Sequence, residues 1–287
     1  MIKPMLCRGH PEVFSDPDYI WETKYDGNRI IAVNSGQGYQ LQARSGRDRT
    51  AQFPELNIST KQNAVLDGEI VCYDDNGRID GTFNSIQRRN RMNNIGKAAE
   101  IYPATFEVFD ILEAGGVNVE DMLLKERKCL LETVLRPSEN VRLGHYTGDG
   151  ISLFERAKTL GLEGVVGKRL YGRYLQDKRE WLKVKVWKYG TFLVVGYTVG
   201  TGWRAPTFGA LVLSDMSGNY AGEVGTGFNI QQLEEICGMF RPHPCPWPEP
   251  PVSAIWVEPF AARIRYLEYT NDGVLRFPSW RGLKSEA

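Results

Sequence analysis

The segment Trp21-Glu22-Thr23-Lys24-Tyr25-Asp26-Gly27-Asn28-Arg29 sets a lysine, an Asp-Gly pair and an arginine at the spacing Lys-x-Asp-Gly-x-Arg. With each fixed residue used at roughly 5–7%, a chance match in such a chain is on the order of a few per thousand. Taken alone, the segment also reads as a solvated Asp-Gly turn between strands. A second segment, Trp181-Leu182-Lys183-Val184-Lys185, alternates with period two. Trp181, Lys183, Lys185 and Trp187 share one strand face, and Leu182, Val184 and Val186 share the other. Two ammonium groups side by side on a strand with an apolar back repel each other unless an anion lies over them, and a phosphate resolves that repulsion. Carboxylates recur in Leu66-Asp67-Gly68-Glu69, Phe106-Glu107-Val108-Phe109-Asp110 and Glu163-Gly164-Val165-Val166-Gly167-Lys168. For Glu69 and Glu163 the plain alternative is a pair of sheet-edge salt bridges.

The elements that must position these segments are mostly strands. Residues 30–34 and 39–44 flank Ser35-Gly36-Gln37-Gly38 and predict a hairpin; residues 65–73, 104–112, 165–170 and 181–188 predict further strands. Residues 122–135 place Leu123, Leu130, Leu131 and Val134 on one helical face, and a second helix over 151–160 ends at Gly161. After Lys188-Tyr189-Gly190 the texture changes to short β runs at 192–197, 210–214, 220–224, 255–260 and 264–269, with one helix at 231–240. Five short strands and a helix suit a small Greek-key barrel of the oligonucleotide-binding (OB) type. The 287 residues favour two modest cores over one large one, with domains at 1–189 and 190–287.

Thirty-five basic residues balance thirty-five acidic ones, so no global field draws the chain to a polyanion. Nucleic acid must be met by local patches, and Arg44, Arg47, Arg49, Arg88, Arg89 and Arg91 offer them. The run Arg88-Arg89-Asn90-Arg91 follows Gly81-Thr82-Phe83-Asn84, where a loop or helix end could reach a DNA backbone; its plain alternative is a solvated helix face. Five scattered cysteines without a Cys-x-x-Cys pair and three dispersed histidines argue against a disulfide framework, structural zinc and a histidine metal cluster. No apolar stretch is long enough for a membrane span, and Pro4 and Arg8 interrupt any signal-peptide core, so a cytoplasmic monomer is expected.

In their order and spacing these segments resemble the motif series of the covalent nucleotidyltransferases, most closely the ATP-dependent DNA ligases, and the likeness covers nearly the whole chain. In the small domain it takes in residues 192–197, Gly200-Thr201-Gly202-Trp203-Arg204 and Arg276-Phe277-Pro278-Ser279-Trp280-Arg281-Gly282-Leu283-Lys284, which look like the ligase domains of bacterial end-joining enzymes. The resemblance implies an α+β fold: a nucleotidyltransferase (adenylation) domain of antiparallel sheets with helices, followed by an all-β OB-fold barrel. It implies ATP and Mg²⁺ as cofactors and nicked duplex DNA as partner. Lys24 is then the nucleophile that takes AMP, Lys183 and Lys185 hold the α-phosphate, and Glu69 and Glu163 contact the ribose or hold the metal. Phe106 stacks on adenine and Glu22 reads its exocyclic amine, although Phe106, with Val108 on the same strand face, reads equally as core and the strand register decides. Arg29 and Arg44 bind the nucleotide or the 5′-phosphate of the nick, where guanidinium forks suit phosphate, and Arg47, Arg88, Arg89 and Arg91 extend the DNA path. Arg281 and Lys284 orient the departing pyrophosphate when the barrel closes.

A free lysine is less than about 0.1% neutral at pH 7, so the resemblance further leads us to expect a lowered Lys24 pKa, with Mg²⁺, Lys183 and Lys185 as the cause. The final motif stops at Lys284-Ser285-Glu286-Ala287 without the basic residue the pattern has after the acidic one, and the chain reads as a minimal two-domain ligase core. An RNA ligase or a GTP-dependent RNA-capping enzyme would use the same lysine chemistry. A non-catalytic nucleic-acid-binding barrel would have no use for Lys24.

Overall fold

The computed structural model describes residues 1–73, 84–270 and 272–284; residues 81–83, ahead of the arginine run, and 285–287, at the end of the final motif, lie outside the described residues. The chain divides into two units, Met1–Val186 and Trp187–Ala287. The strand Arg179–Lys185 stops short of Trp187, and the stretch read as a boundary is already the start of the strand Lys188–Val199.

Two main sheets build the first unit, beside a small pair of Ser59–Thr60 with Leu135–Arg136. The first sheet has the order Leu6–Gly9, Arg179–Lys185, Gly164–Arg169, Tyr19–Thr23, Tyr146–Thr147; the second has Val141–Leu143, Ala104–Ala114, Ala64–Cys72, Asn28–Asn34, Tyr39–Ala43. Pairing is mainly antiparallel, with Leu6–Gly9 and Val141–Leu143 running parallel to their neighbours. The expected hairpin is the pair Asn28–Asn34 and Tyr39–Ala43.

Because side chains alternate across a strand, each sheet serves two cores. Ile30, Leu66, Phe106 and Val108 leave the second sheet on its outer face, where Leu131 and Val134 of the helix Leu124–Val134 and Ile86 of the helix Asn84–Arg91 cover them. Ile31, Val65, Phe109 and Leu112 leave on the inner face and meet Met5, Tyr174 and Trp181. Trp21, Val165 and Val184, on the outer face of the first sheet, pack on Ala157 of the helix Gly150–Thr159. Gly68 shows how tightly the outer core closes: a Cβ there would stand 2.5 Å from the Phe106 ring and 2.5 Å from the Glu107 carbonyl oxygen.

The second unit is a five-stranded sheet, ordered Tyr220–Val224, Phe208–Ser214, Lys188–Val199, Ile255–Tyr266, Ser279–Leu283. The helix Ile230–Met239 sets Leu233 and Ile236 into a core with Phe192, Leu211, Ile264 and Trp280. The two runs expected at 255–260 and 264–269 are largely one strand. Val194 pairs with Phe260 and Gly196 with Trp256, so Pro259 falls in an irregularity where no ladder hydrogen bond is lost to it. Among the described residues, no helix is long and apolar enough to cross a membrane.

Candidate active site

Strand register assembles the polar groups. Across the second sheet, Arg29 lies opposite Glu69, Glu69 opposite Glu107, and Glu107 beside Arg142. Across the first sheet, Glu22 lies opposite Val166 and Val166 opposite Lys183, on the face that also carries Trp181 and Lys185. Lys24 follows the strand Tyr19–Thr23 directly, and its backbone N–H donates to the Gly164 carbonyl at 2.9 Å. Gly164 has φ +148°, and a Cβ there would lie 2.1 Å from the Val184 carbonyl oxygen, so glycine is what allows Glu163 to turn in toward Lys24.

Glu163 is the hub. Lys24 Nζ donates to its carboxylate, and Lys185 Nζ stands 2.7 Å from the other oxygen. The expectation of a lowered Lys24 pKa is not met in this state. Burial alone would lower it, but Glu163, with Glu69 and Asp26 farther off, holds the ammonium above the ordinary lysine range. Glu163 in turn is held below the ordinary carboxylate range, because Lys24 and Lys185 outweigh its burial. The lowered value falls instead on Lys183: burial and the neighbouring Lys185 and Lys24 push its pKa down.

Glu69 differs from Glu163. Burial, only partly offset by Arg29 and Lys24, pushes its carboxyl up to about 7. A half-buried carboxyl that short of compensating charge suits a hard divalent cation, and Mg²⁺ asks for only one or two carboxylates beside phosphate and water. The donor set therefore fits Mg²⁺, although no cluster of three or more metal-ligating side chains occurs among the described residues.

Arg29 grips Asp67 with Nε and Nη2, each at 2.6 Å, and Asp67 also accepts from Tyr174 Oη at 2.5 Å. This arginine is thus committed to a buried carboxylate while its guanidinium lies over the Phe109 and Trp181 rings. Phe106 does not face the site. It is fully buried in the outer core, and the neighbouring face of the same strand presents Phe109 instead. Phe109, Trp181, Glu22, Lys24 and Lys168 line a small cavity of about 70 Å³. Glu22 is buried with Lys128 at 2.5 Å from one oxygen and Lys168 at 2.6 Å from the other.

A larger cavity of about 580 Å³ opens beside it, lined by Arg29, Arg44, Arg49, Asn28, Ser45 and Glu69; Arg29 and Glu69 line both. Arg47 is exposed and does not line it. Arg88 and Arg91 are exposed, but Arg89 is not a surface group. Its guanidinium donates to the carbonyls of Gln52, Ala98 and Tyr102 and pairs with Glu55 at 2.8 Å. Replacing Arg89 by alanine should therefore destabilise the fold by about 3–5 kcal/mol, the scale for breaking a buried ion pair. Replacing Arg88 and Arg91 together should leave the urea midpoint unchanged while weakening DNA binding and its salt dependence. Equal midpoints for the two variants would contradict the placement. In the second unit, exposed Arg281 caps Ser279 Oγ at 3.0 Å and the Trp280 carbonyl at 2.6 Å, and Lys284 is exposed just beyond that strand.

The sequence reading missed several residues of this site. Tyr25 donates to Glu107 at 3.2 Å and Tyr73 donates to its other oxygen, tying the residue after Lys24 to the second sheet. Asp67, Tyr174, Phe109, Lys128 and Lys168 were likewise given no role. Lys128 carries no local signal, and Lys168, although it closes the segment that begins at Glu163, reaches Glu22 only through the fold.

Comparison with known proteins matches residues 4–185 to the ATP dependent DNA ligase domain and residues 188–287 to the ATP dependent DNA ligase C terminal region. The chain is 30% identical, over 99% of its length, to the multifunctional non-homologous end joining protein LigD of Mycolicibacterium smegmatis, and spans 38% of that protein. It is 33% identical over 69% of its length to the SPbeta prophage-derived DNA ligase-like protein LigB of Bacillus subtilis, of which it spans 72%. Among solved structures, the ligase domain of M. tuberculosis LigD aligns with a TM-score of 0.56 at 28% identity, covering 99% of this chain and 95% of that one. Mycobacterial DNA ligase D complexed with ATP aligns with a TM-score of 0.58 at 27% identity, covering 100% and 96%.

Proposed function

The chain belongs to the ATP-dependent DNA ligase family, and from that premise we propose that it seals nicks with a 5′-phosphate and a 3′-hydroxyl in duplex DNA, as a monomer, through a lysyl-AMP and a DNA-adenylate. The observation that carries this reading is the cluster at Glu163, where Lys24 and Lys185 share one carboxylate beside Lys183. Three ammonium groups around one carboxylate leave positive charge for a phosphate chain to neutralise.

Lys24 gives a proton to water and attacks the α-phosphorus of ATP; an N–P bond forms, the bond to the bridging oxygen breaks, and pyrophosphate leaves. The 5′-phosphate of the nick then displaces Lys24 from the AMP, and the 3′-hydroxyl attacks the activated phosphorus to release AMP. Such transfers rest on positioning and charge more than on covalent assistance. Lys183 and Lys185 supply the charge at the α-phosphate, and the arginines of the larger cavity, Arg44 and Arg49, receive the 5′-phosphate. Mg²⁺ held by Glu69 and Glu163 would neutralise phosphate charge that the lysines leave. Arg281 and Lys284 orient the pyrophosphate, as the family resemblance implies.

Base choice follows from the small cavity. Phe109 and Trp181, with the cations of Arg29 and Lys168 over their rings, border it, the Glu22 carboxylate accepts from the 6-amine of adenine, and the Lys168 ammonium beside it can donate to N1. Guanine presents the reverse pattern, an acceptor at position 6 and a donor at N1, so ATP is favoured over GTP. A sealing assay on singly nicked duplexes tests the reading. ATP with a divalent cation should join a nicked DNA strand, and GTP should not replace it. Joining with GTP, or of RNA nicks only, would assign the chain to a different reaction.

A further inference from the structure

Lys128 is a buried ammonium on the helix Leu124–Val134 that belongs to neither sheet yet touches both. Its Nζ donates to Glu22 Oε1 at 2.5 Å, on the first sheet, and to the carbonyl of Phe109 at 2.8 Å, on the second. One amine therefore sets the spacing between a polar group and an aromatic wall of the same small cavity, which Glu22 and Phe109 both line.

Stability does not account for this arrangement. The helix is already docked by Leu124, Leu131 and Val134 and by Arg127, whose Nε and Nη2 grip Asp110 at 2.8 and 2.9 Å. Asp110 is thereby taken, and Glu22 alone faces two buried ammonium groups, Lys128 and Lys168. Lys168 shows the strain of that surplus: burial, with Lys128 adding to it, lowers its pKa to about 8 even though Glu22 opposes the shift. One lysine would neutralise Glu22. A second, close to the opposite carboxylate oxygen, stops the carboxylate from rotating, because each oxygen then faces its own cation.

We propose that Lys128 is a positioning residue for nucleobase choice: it fixes the Glu22 carboxylate against the Phe109 wall so that one oxygen edge stays presented to the 6-amino group of a purine nucleoside triphosphate. This rests on the reading that Glu22 faces the base of ATP. Lys128 itself touches neither phosphate nor nucleophile, so its loss should move selectivity and leave the chemistry of Lys24 alone. Lys128→Met should also fold, since it removes the surplus charge and leaves Glu22 paired with Lys168.

The test compares covalent nucleotide uptake from ATP with that from purine riboside triphosphate, which lacks only the 6-amine, as a ratio of kcat/KM. Wild type should favour ATP by ~10–100-fold, the worth of a hydrogen bond to a charged group. Lys128→Met should bring the ratio to within about threefold of unity while the rate at saturating ATP holds within about twofold. Lys128→Gln, which keeps amide donors without the charge, should fall between, and serves if the methionine variant does not fold. A folded variant that keeps the wild-type ratio would overturn the role of Lys128. Equal use of the two nucleotides by wild type would overturn the reading of Glu22 and this inference with it, and no covalent uptake at all would overturn the ligase reading.

Discussion

Lys24→Ala should take up no AMP, a loss on the order of 10⁴-fold or more as for removal of other enzymatic nucleophiles, and should still join a nick whose 5′ end already carries AMP. The two halves of this expectation have different physical grounds. Transfer from ATP needs an amine to form the N–P bond, and Lys183 and Lys185, on the neighbouring strand, are proposed to hold the phosphate rather than to attack it. Joining of a pre-adenylated nick needs only the 3′-hydroxyl, the cations and the geometry. The variant should keep its fold, because Glu163 retains Lys185 as its partner when Lys24 is cut back. Labelled AMP on the Lys24→Ala protein would show that the nucleophile has been misassigned.

Arg29→Ala should destabilise the fold by about 3–5 kcal/mol and should abolish joining as well. Asp67 is fully buried, and its two oxygens are held by the fork of Arg29 and by Tyr174. Removing the guanidinium strands a carboxylate in the space between the sheets with only a phenol to satisfy it. The same change strips a cation from the faces of Phe109 and Trp181 and from the lining of both cavities. The urea midpoint of the purified variant reads the stability part directly. An unchanged midpoint would mean that the Arg29–Asp67 pair is not the buried link described here.

Lys183 and Lys185 were legible because a period of two, with valine and leucine between, leaves only one face for the charges. Phe106 and Phe109 were not separable by that rule. They lie on opposite faces of one strand, both faces are buried, and only the partner sheet decides which is inner. Arg89 was partly legible: it lies one helical turn from buried Ile86, on the face turned to the core, whereas Arg88 and Arg91 turn away. Lys128, Lys168 and Glu107 were out of reach, since the groups they meet are distant in sequence and their burial depends on both sheets being in place. That Glu163 holds Lys24 as an ammonium was not legible, because the sequence shows the lysines of the cluster but not that Glu163 sits between them.

The most direct measurement is the intact mass of the purified protein before and after incubation with ATP and a divalent cation, followed by peptide mapping. One AMP should be added per chain, located on the peptide bearing Lys24, and pyrophosphate should remove it. A chain that gains no AMP, or carries it on a residue other than Lys24, would contradict the account.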